Sequence, residues 1–141
     1  MKNWILVLFC TLIFSGCSED QTETASPELS ESDEIIFLAF KNETSNLQVQ
    51  GTGIVIKLLS DDDVGSRHQR FILQLSSRQT LLISHNIDLA ARIDTLQLND
   101  TVEFYGEYEW NSQGGVVHWT HDDPQKAHED GWLKHNQIIY H

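Results

Sequence analysis

The sequence predicts an all-β domain: a small five-stranded barrel with one short helix between its third and fourth strands and a C-terminal strap. Three observations predict it. Apolar and polar residues alternate along several short runs rich in strand-forming types. A helix-capping signature interrupts those runs after the third. Glycines fall inside two of them, where a barrel has to bend.

The first run, over residues 49–59, carries Gly51 and Gly53, which permit curvature. Residues 60–66 are a loop holding Asp61, Asp62, Asp63 and Gly65. Residues 68–76 alternate, with Phe71, Leu73 and Leu75 facing one way and His68, Arg70 and Gln74 the other. Leu81-Leu82-Ile83-Ser84-His85 is the third strand. Asn86 then reads as the cap of a short helix over residues 87–93. After an Asn99-Asp100 turn, residues 101–110 give the cleanest period of two. Val102, Phe104, Tyr108 and Trp110 share one face; Glu103, Tyr105, Glu107 and Glu109 share the other, and Gly106 marks a bulge or bend. Residues 111–115 form a hairpin connection to a fifth strand over 116–120. Three strands, a helix and a two-stranded hairpin make the element order of an OB-fold barrel. A β-sandwich needs about seven strands. From Asp123-Pro124 the chain runs into a hairpin or strap. It packs Trp132 onto the barrel, because Trp119, Trp132 and Tyr140 would otherwise expose too much apolar surface.

Ahead of this domain lie two segments of different composition. Lys2 precedes an apolar run from Trp4 to Phe14, the mark of a secretory signal and too short for the roughly 20 residues of a membrane span. The run ends at Phe14-Ser15-Gly16-Cys17, which resembles the bacterial lipobox. That resemblance implies removal of residues 1–16 and lipidation of Cys17, with several acyl chains giving durable membrane attachment. Residues 17–34 are acidic, rich in Ser and Thr and without a basic residue, so they read as a solvated tether. Its reach is roughly 20–25 Å, at about 5–6 Å times the square root of its length. Ser18 is not the aspartate that resembles an inner-membrane retention signal, so the expected location is the outer membrane, facing the periplasm. The domain itself is expected over residues 35–141.

Composition removes several function classes. The two cysteines, Cys10 and Cys17, leave with the signal or carry lipid, so the domain has no disulfide, thiolate metal site or thiol nucleophile. The net charge is −12, and a nucleic-acid binder needs a basic footprint. Double-stranded nucleic acid and anionic headgroups are therefore poor ligands. Cations, neutral ligands and basic protein surfaces remain.

All seven histidines lie at or after position 68, five of them at 118, 121, 128, 135 and 141. Imidazole and carboxylate are the usual ligands of zinc and also suit manganese, iron and nickel. His118, His121 and His128 are the candidate metal ligands. On a continuing strand His118 and His121 would point to opposite faces; they converge only if the strand ends near Thr120 and turns at Asp122-Asp123-Pro124. No His-Glu-x-x-His motif is present. The second candidate set is His85 with Asp88, an acid/base or ligand pair that helix capping alone also explains. The third is His68 and Arg70 beside the Asp61-Asp62-Asp63 loop, whose spacing is not that of an EF-hand.

Several blocks carry a family resemblance: Arg67-His68-Gln69-Arg70-Phe71-Ile72-Leu73, His85-Asn86-Ile87-Asp88-Leu89-Ala90, residues 103–111, and Gly115-Val116-Val117-His118-Trp119-Thr120-His121 with Asp123-Pro124 and Gly131-Trp132. Over about residues 48–141 the chain resembles an uncharacterised family of small bacterial proteins classed as a domain of unknown function. The resemblance implies domain limits and no activity. Three readings follow. The first is a tethered binding module for a divalent metal such as zinc, or for a small polar ligand. The second is a metal-dependent hydrolase of phosphoesters with Asp88 or Glu107 as base. The third is a structural envelope protein whose Tyr105 and Trp110 meet a protein partner.

Overall fold

The computed structural model describes residues 29–141; the signal segment, Cys17 and the acidic stretch to residue 28 lie outside the described residues. Its elements in chain order are α1 (Glu31–Lys41), β1 (Leu47–Leu58), β2 (His68–Gln74), β3 (Thr80–Asn86), β4 (Thr101–Glu109), β5 (Val116–His118), β6 (Trp132–His135) and β7 (Ile138–Tyr140). The first five strands close into a barrel in the order β1-β2-β3-β5-β4, sealed by the pairing of β1 with β4. β3 and β5 run parallel and the other barrel pairs antiparallel. The predicted all-β, OB-like barrel is the architecture found.

The period of two read from the sequence decides which side chains fill it. Val49 and Val55 of β1, Phe71 and Leu73 of β2, and Leu81 and Ile83 of β3 point inward and are buried. So do Val102, Phe104 and Tyr108 of β4 and Val117 of β5. Burying each of the larger side chains stabilises the fold by about 1.5–3 kcal/mol. Gly51 is needed for a direct reason: a Cβ there would collide with the ring of Phe104 across the β1–β4 ladder.

The single helix is in a different place from the one predicted. It precedes β1 rather than joining β3 to β4, and its first turn includes residues 31–34, expected to be the end of the tether. The cause is local and tertiary together. The Ser30 hydroxyl accepts from the Asp33 N–H at 3.1 Å, acidic residues fill the first turn and Lys41 the last, as the helix dipole favours. Ile36 and Ala39 then bury against the core. The Asp33 carboxylate accepts from the backbone N–H of Ser76 at 2.8 Å and from the Ser76 hydroxyl, tying α1 to the β2–β3 turn. Trp110 donates from Nε1 to the Phe40 carbonyl at 3.1 Å. α1 thus caps one end of the barrel.

The irregular segment 87–100 plugs the other end with Ile93 and Leu96. One turn begins, with Ala90 N–H bonded to the Asn86 carbonyl at 3.1 Å, and stops. Helix nucleation is costly, and here the backbone finds other partners. Gln69 clamps Ile93 in both directions, donating to its carbonyl at 2.9 Å and accepting from its N–H at 2.8 Å. His85 takes the Ala91 carbonyl.

The predicted strap is the β6–β7 hairpin. One edge of β4 is shared: β5 pairs with residues 107–109 and β6 with residues 102–105. Asn136 and Gln137 make the tight turn with φ of +49° and +66°, the primed geometry that suits strand twist.

A candidate metal centre

The site is built on the outer wall where β4 meets β5. Alternation puts Glu107 and Glu109 on the outer face of β4, and the ladder sets His118 directly opposite Glu107. One ligand atom from each of Glu107, Glu109 and His118 lies within 4.8 Å of the others. His118 Nε2 is 3.4 Å from Glu107 Oε1, is buried and has no hydrogen-bond partner. Burial lowers the pKa of His118 and outweighs the opposing pull of Glu107 and Glu109. The ring is therefore neutral at neutral pH.

Residues 119–131 fold back over this cluster. Trp119 adopts φ +53°, a left-handed conformation rare for a large residue, and this ends β5 after His118. The strand does turn where convergence required it. Thr120 and His121 become buried, and Asp123 organises the loop. Its carboxylate accepts from the N–H groups of Gln125 at 2.9 Å, Ala127 at 2.7 Å and His128 at 2.8 Å. The result is His128 Nε2 placed 2.8 Å from Glu107 Oε2, with Nδ1 at 2.8 Å from the Glu129 carbonyl. The Glu129 carbonyl and an ionised Glu107 both accept, an arrangement that favours the imidazolium form of His128. Burial opposes that charge, but the bonds to Glu107 and Glu129 and the Glu107 and Asp123 carboxylates outweigh it and raise the pKa. Trp119 stacks on the His128 ring at 4.2 Å and 6°. Replacing Asp123 with Ala is expected to loosen the loop: amide hydrogen exchange at Gln125, Ala127 and His128 should accelerate while β1–β4 amides stay protected.

The sequence trio is thus divided. His118 and His128 share the Glu107 carboxylate, whereas His121 joins His68 and His118 around a small adjoining cavity. Arg70 is used structurally, donating to the Ser60 carbonyl and facing Asp62. His85 and Asp88 are not brought together. His85 points into the barrel because Leu81, Ile83 and His85 share the inner face of β3, while Asp88 binds the Arg67 side chain at 2.8 Å and its N–H. The Asp61-Asp62-Asp63 loop is held by ion pairs, with Asp61 on Arg92 and Asp62 facing Arg70. Tyr105 and Trp110 do not form one face either: Tyr105 bonds Glu129 outside, and Trp110 folds against α1. Glu109 was missed as a member of this cluster, although its place two residues from Glu107 on one face was readable.

A family model described as "Protein of unknown function (DUF3465)" matches residues 21–141. The chain belongs to this family. No curated protein matches the chain. Family membership leaves the chemistry to be argued from the site.

Proposed function

We propose that this protein is an envelope binding module that holds a divalent metal through Glu107, Glu109, His118 and His128, anchored to the outer membrane by a lipid on Cys17. The observation that carries the reading is the convergence of Glu107, Glu109 and His118, with an unpartnered buried nitrogen on a neutral imidazole. Two carboxylates and one or two imidazoles form an oxygen–nitrogen donor set suited to zinc, and also to manganese, iron or nickel. Ligand bonds of about 2.0–2.2 Å require these donors to draw inward, which outer-face side chains can do without moving the barrel. A chain of net charge −12 favours a cation at such a place. In the metal-free arrangement His128 is paired with Glu107 instead. Of the two bases the hydrolase reading names, Asp88 is held by Arg67 and Glu107 is assigned to the metal itself, so binding is favoured over hydrolysis.

The test is metal content by elemental mass spectrometry, on the untagged chain dialysed against micromolar zinc, manganese, iron and nickel. The wild type is expected to retain close to one equivalent of one of them. Glu107→Gln and His118→Ala should each lower affinity by about 100-fold or more, since loss of an outer-shell partner alone typically costs about 10–100-fold. His68→Ala should leave metal content unchanged. Absence of retained metal in the wild type overturns the reading, as does equal retention in all variants that keep wild-type circular dichroism. For the anchor, labelled palmitate is expected in the wild type and not in Cys17→Ala.

A further inference from the structure

β1 outruns its neighbours. Residues 47–54 pair with β4 along one edge, and only residues 54–58 pair with β2 along the other. Val55 fixes which groups face which edge. Its N–H donates to the Asp100 carbonyl at 2.9 Å and its carbonyl accepts from the Asn99 N–H at 2.8 Å, both on the β4 side. Successive residues of a strand direct their main-chain groups to opposite edges, so Val49, Gly51 and Gly53 serve the β4 ladder too. Gln48, Gln50 and Thr52 turn their N–H and C=O groups the other way. β2 has already left that edge at Gln74, and among the described residues nothing pairs with these six groups.

Two cavities, of about 380 and 420 Å³, follow this bare edge between β1 and the first turn of α1. Residues 48–52 line the first and residues 52–54 the second, and Ser32 and Thr52 belong to both. Gly51 has no side chain, so main chain is what it presents there. An unpaired edge is a template for a further strand. We propose that this groove takes an extended, basic segment of a partner protein as an added strand on β1. Five residues of such a segment span roughly 16 Å, at about 3.3 Å each, the length of the bare edge. Main-chain bonds supply the affinity, and alternate side chains rest on Ile35 and Ile54, both half-exposed along the groove. Charge selects the occupant. Glu31 is exposed at the groove, the Asp33 carboxylate is already taken by Ser76 and Ser77, and no lysine or arginine lines either cavity. The chain's own residues 18–28 bring Glu19, Asp20, Glu23 and Glu28 and no basic residue. A second copy would bring its own Glu31 and its own net charge of −12. Both are disfavoured by like charge, whereas a lysine or arginine beside Glu31 is favoured. None of the proposed metal ligands lines the groove, so this proposal and the metal reading fail separately.

The experiment is amide hydrogen exchange and NMR titration of the detergent-solubilised full chain. The probe is the acetylated and amidated peptide Lys-Thr-Val-Thr-Val-Thr-Lys, at up to millimolar concentration. One control peptide has Glu in place of both Lys, and another is N-methylated at its three central residues. In the free chain the Gln48, Gln50 and Thr52 amides are expected to exchange fast while Val49 and Gly51 stay protected. The basic peptide should shift these three amides saturably and slow their exchange. The acidic peptide should bind more weakly by about two- to fivefold, the worth of one exposed ion pair. The N-methylated one should not bind. Gln50→Pro removes an edge donor without touching the β4 ladder, a placement proline tolerates, and should weaken binding at least tenfold, the loss of one hydrogen bond. Glu31→Lys keeps the edge intact and should reverse the preference between the basic and acidic peptides, whatever the fate of the proline variant. Absence of saturable shifts with the basic peptide overturns the proposal, as does equal binding of the N-methylated or the acidic one. Slow exchange of the three amides in the free chain overturns it as well. Protection independent of dilution would put the chain's own residues 17–28 in the groove, and protection that grows with protein concentration would put a second copy there.

Discussion

Between pH 6.5 and about 4 the fold is expected to lose about 3 kcal/mol of stability through His85 alone. His85 is fully buried, and burial pushes its pKa down from 6.5 to about 4, against the pull of the Ala91 carbonyl and with His121 and His68 adding repulsion. Its Nε2–H donates to the Ala91 carbonyl at 3.2 Å, so the neutral ring accepts at Nδ1 from the Thr120 hydroxyl at 2.8 Å. In the unfolded chain the ring takes a proton near pH 6.5; in the folded barrel it does so only near pH 4. The unfolded state therefore binds more protons across that window. The stabilisation is complete above pH 6.5 and drains away as the pH falls towards 4. Urea unfolding at a series of pH values should show it. His85→Gln should be weaker at pH 7 and much flatter below it. The remaining slope reflects His118, whose lowered pKa acts in the same sense, and His128, whose raised pKa acts oppositely. An unchanged slope in His85→Gln would reject this assignment.

Phe104→Ala should cost about 3–5 kcal/mol, against a total of about 5–15 kcal/mol for a domain of this kind, and leave the barrel close to its unfolding threshold. Phe104 lies on the inner face of β4 opposite Gly51, and its ring fills the volume that a side chain at Gly51 would occupy. That geometry makes the two positions dependent. Gly51→Ala alone should cost about 1–3 kcal/mol through overpacking, and less in a Phe104→Leu background, where the smaller side chain can give way. A double-mutant cycle from urea midpoints measures the coupling, which should exceed about 0.5 kcal/mol. Simple additivity would mean that the close approach of ring and glycine is not what holds these strands at this spacing.

Much of the barrel was legible because period-two alternation is a local property. Val102, Phe104 and Tyr108 could be assigned inward from β4 alone, and the hairpin to His118 followed from Gly114-Gly115. The same rule applied to Leu81, Ile83 and His85 already implied an interior histidine, although Asn86 drew attention to capping instead. α1 was missed because its signals merge with the acidic segment. Ser30 and Asp33 form its cap, but Glu31 and Glu34 look like more tether, and the apolar stretch from Ile35 to Phe40 shows no clean periodicity. The helix forms because Asp33 finds Ser76, forty-three residues away. The site was half legible for a similar reason. A cross-strand pair such as Glu107 and His118 follows from the register of one hairpin. The arrival of His128 depends on Trp119 leaving the strand region and on Asp123 gathering three amides, and neither is encoded in a local pattern.

The closure of β1 on β4 has a kinetic consequence. Leu47 pairs with Tyr108 and Ile54 with Thr101, so the first strand waits for the fourth before its second edge is satisfied. Contacts so distant along the chain place folding in the slower range for small domains, of the order of milliseconds to seconds. During that wait β1 carries a bare edge beside the apolar side chains of Val49 and Val55, a template on which another unfinished copy can pair. A chain cut anywhere before Thr101 should therefore not yield a smaller, looser barrel. It should recruit its own kind into intermolecular sheet, and the intact chain escapes that fate only by closing the ring first.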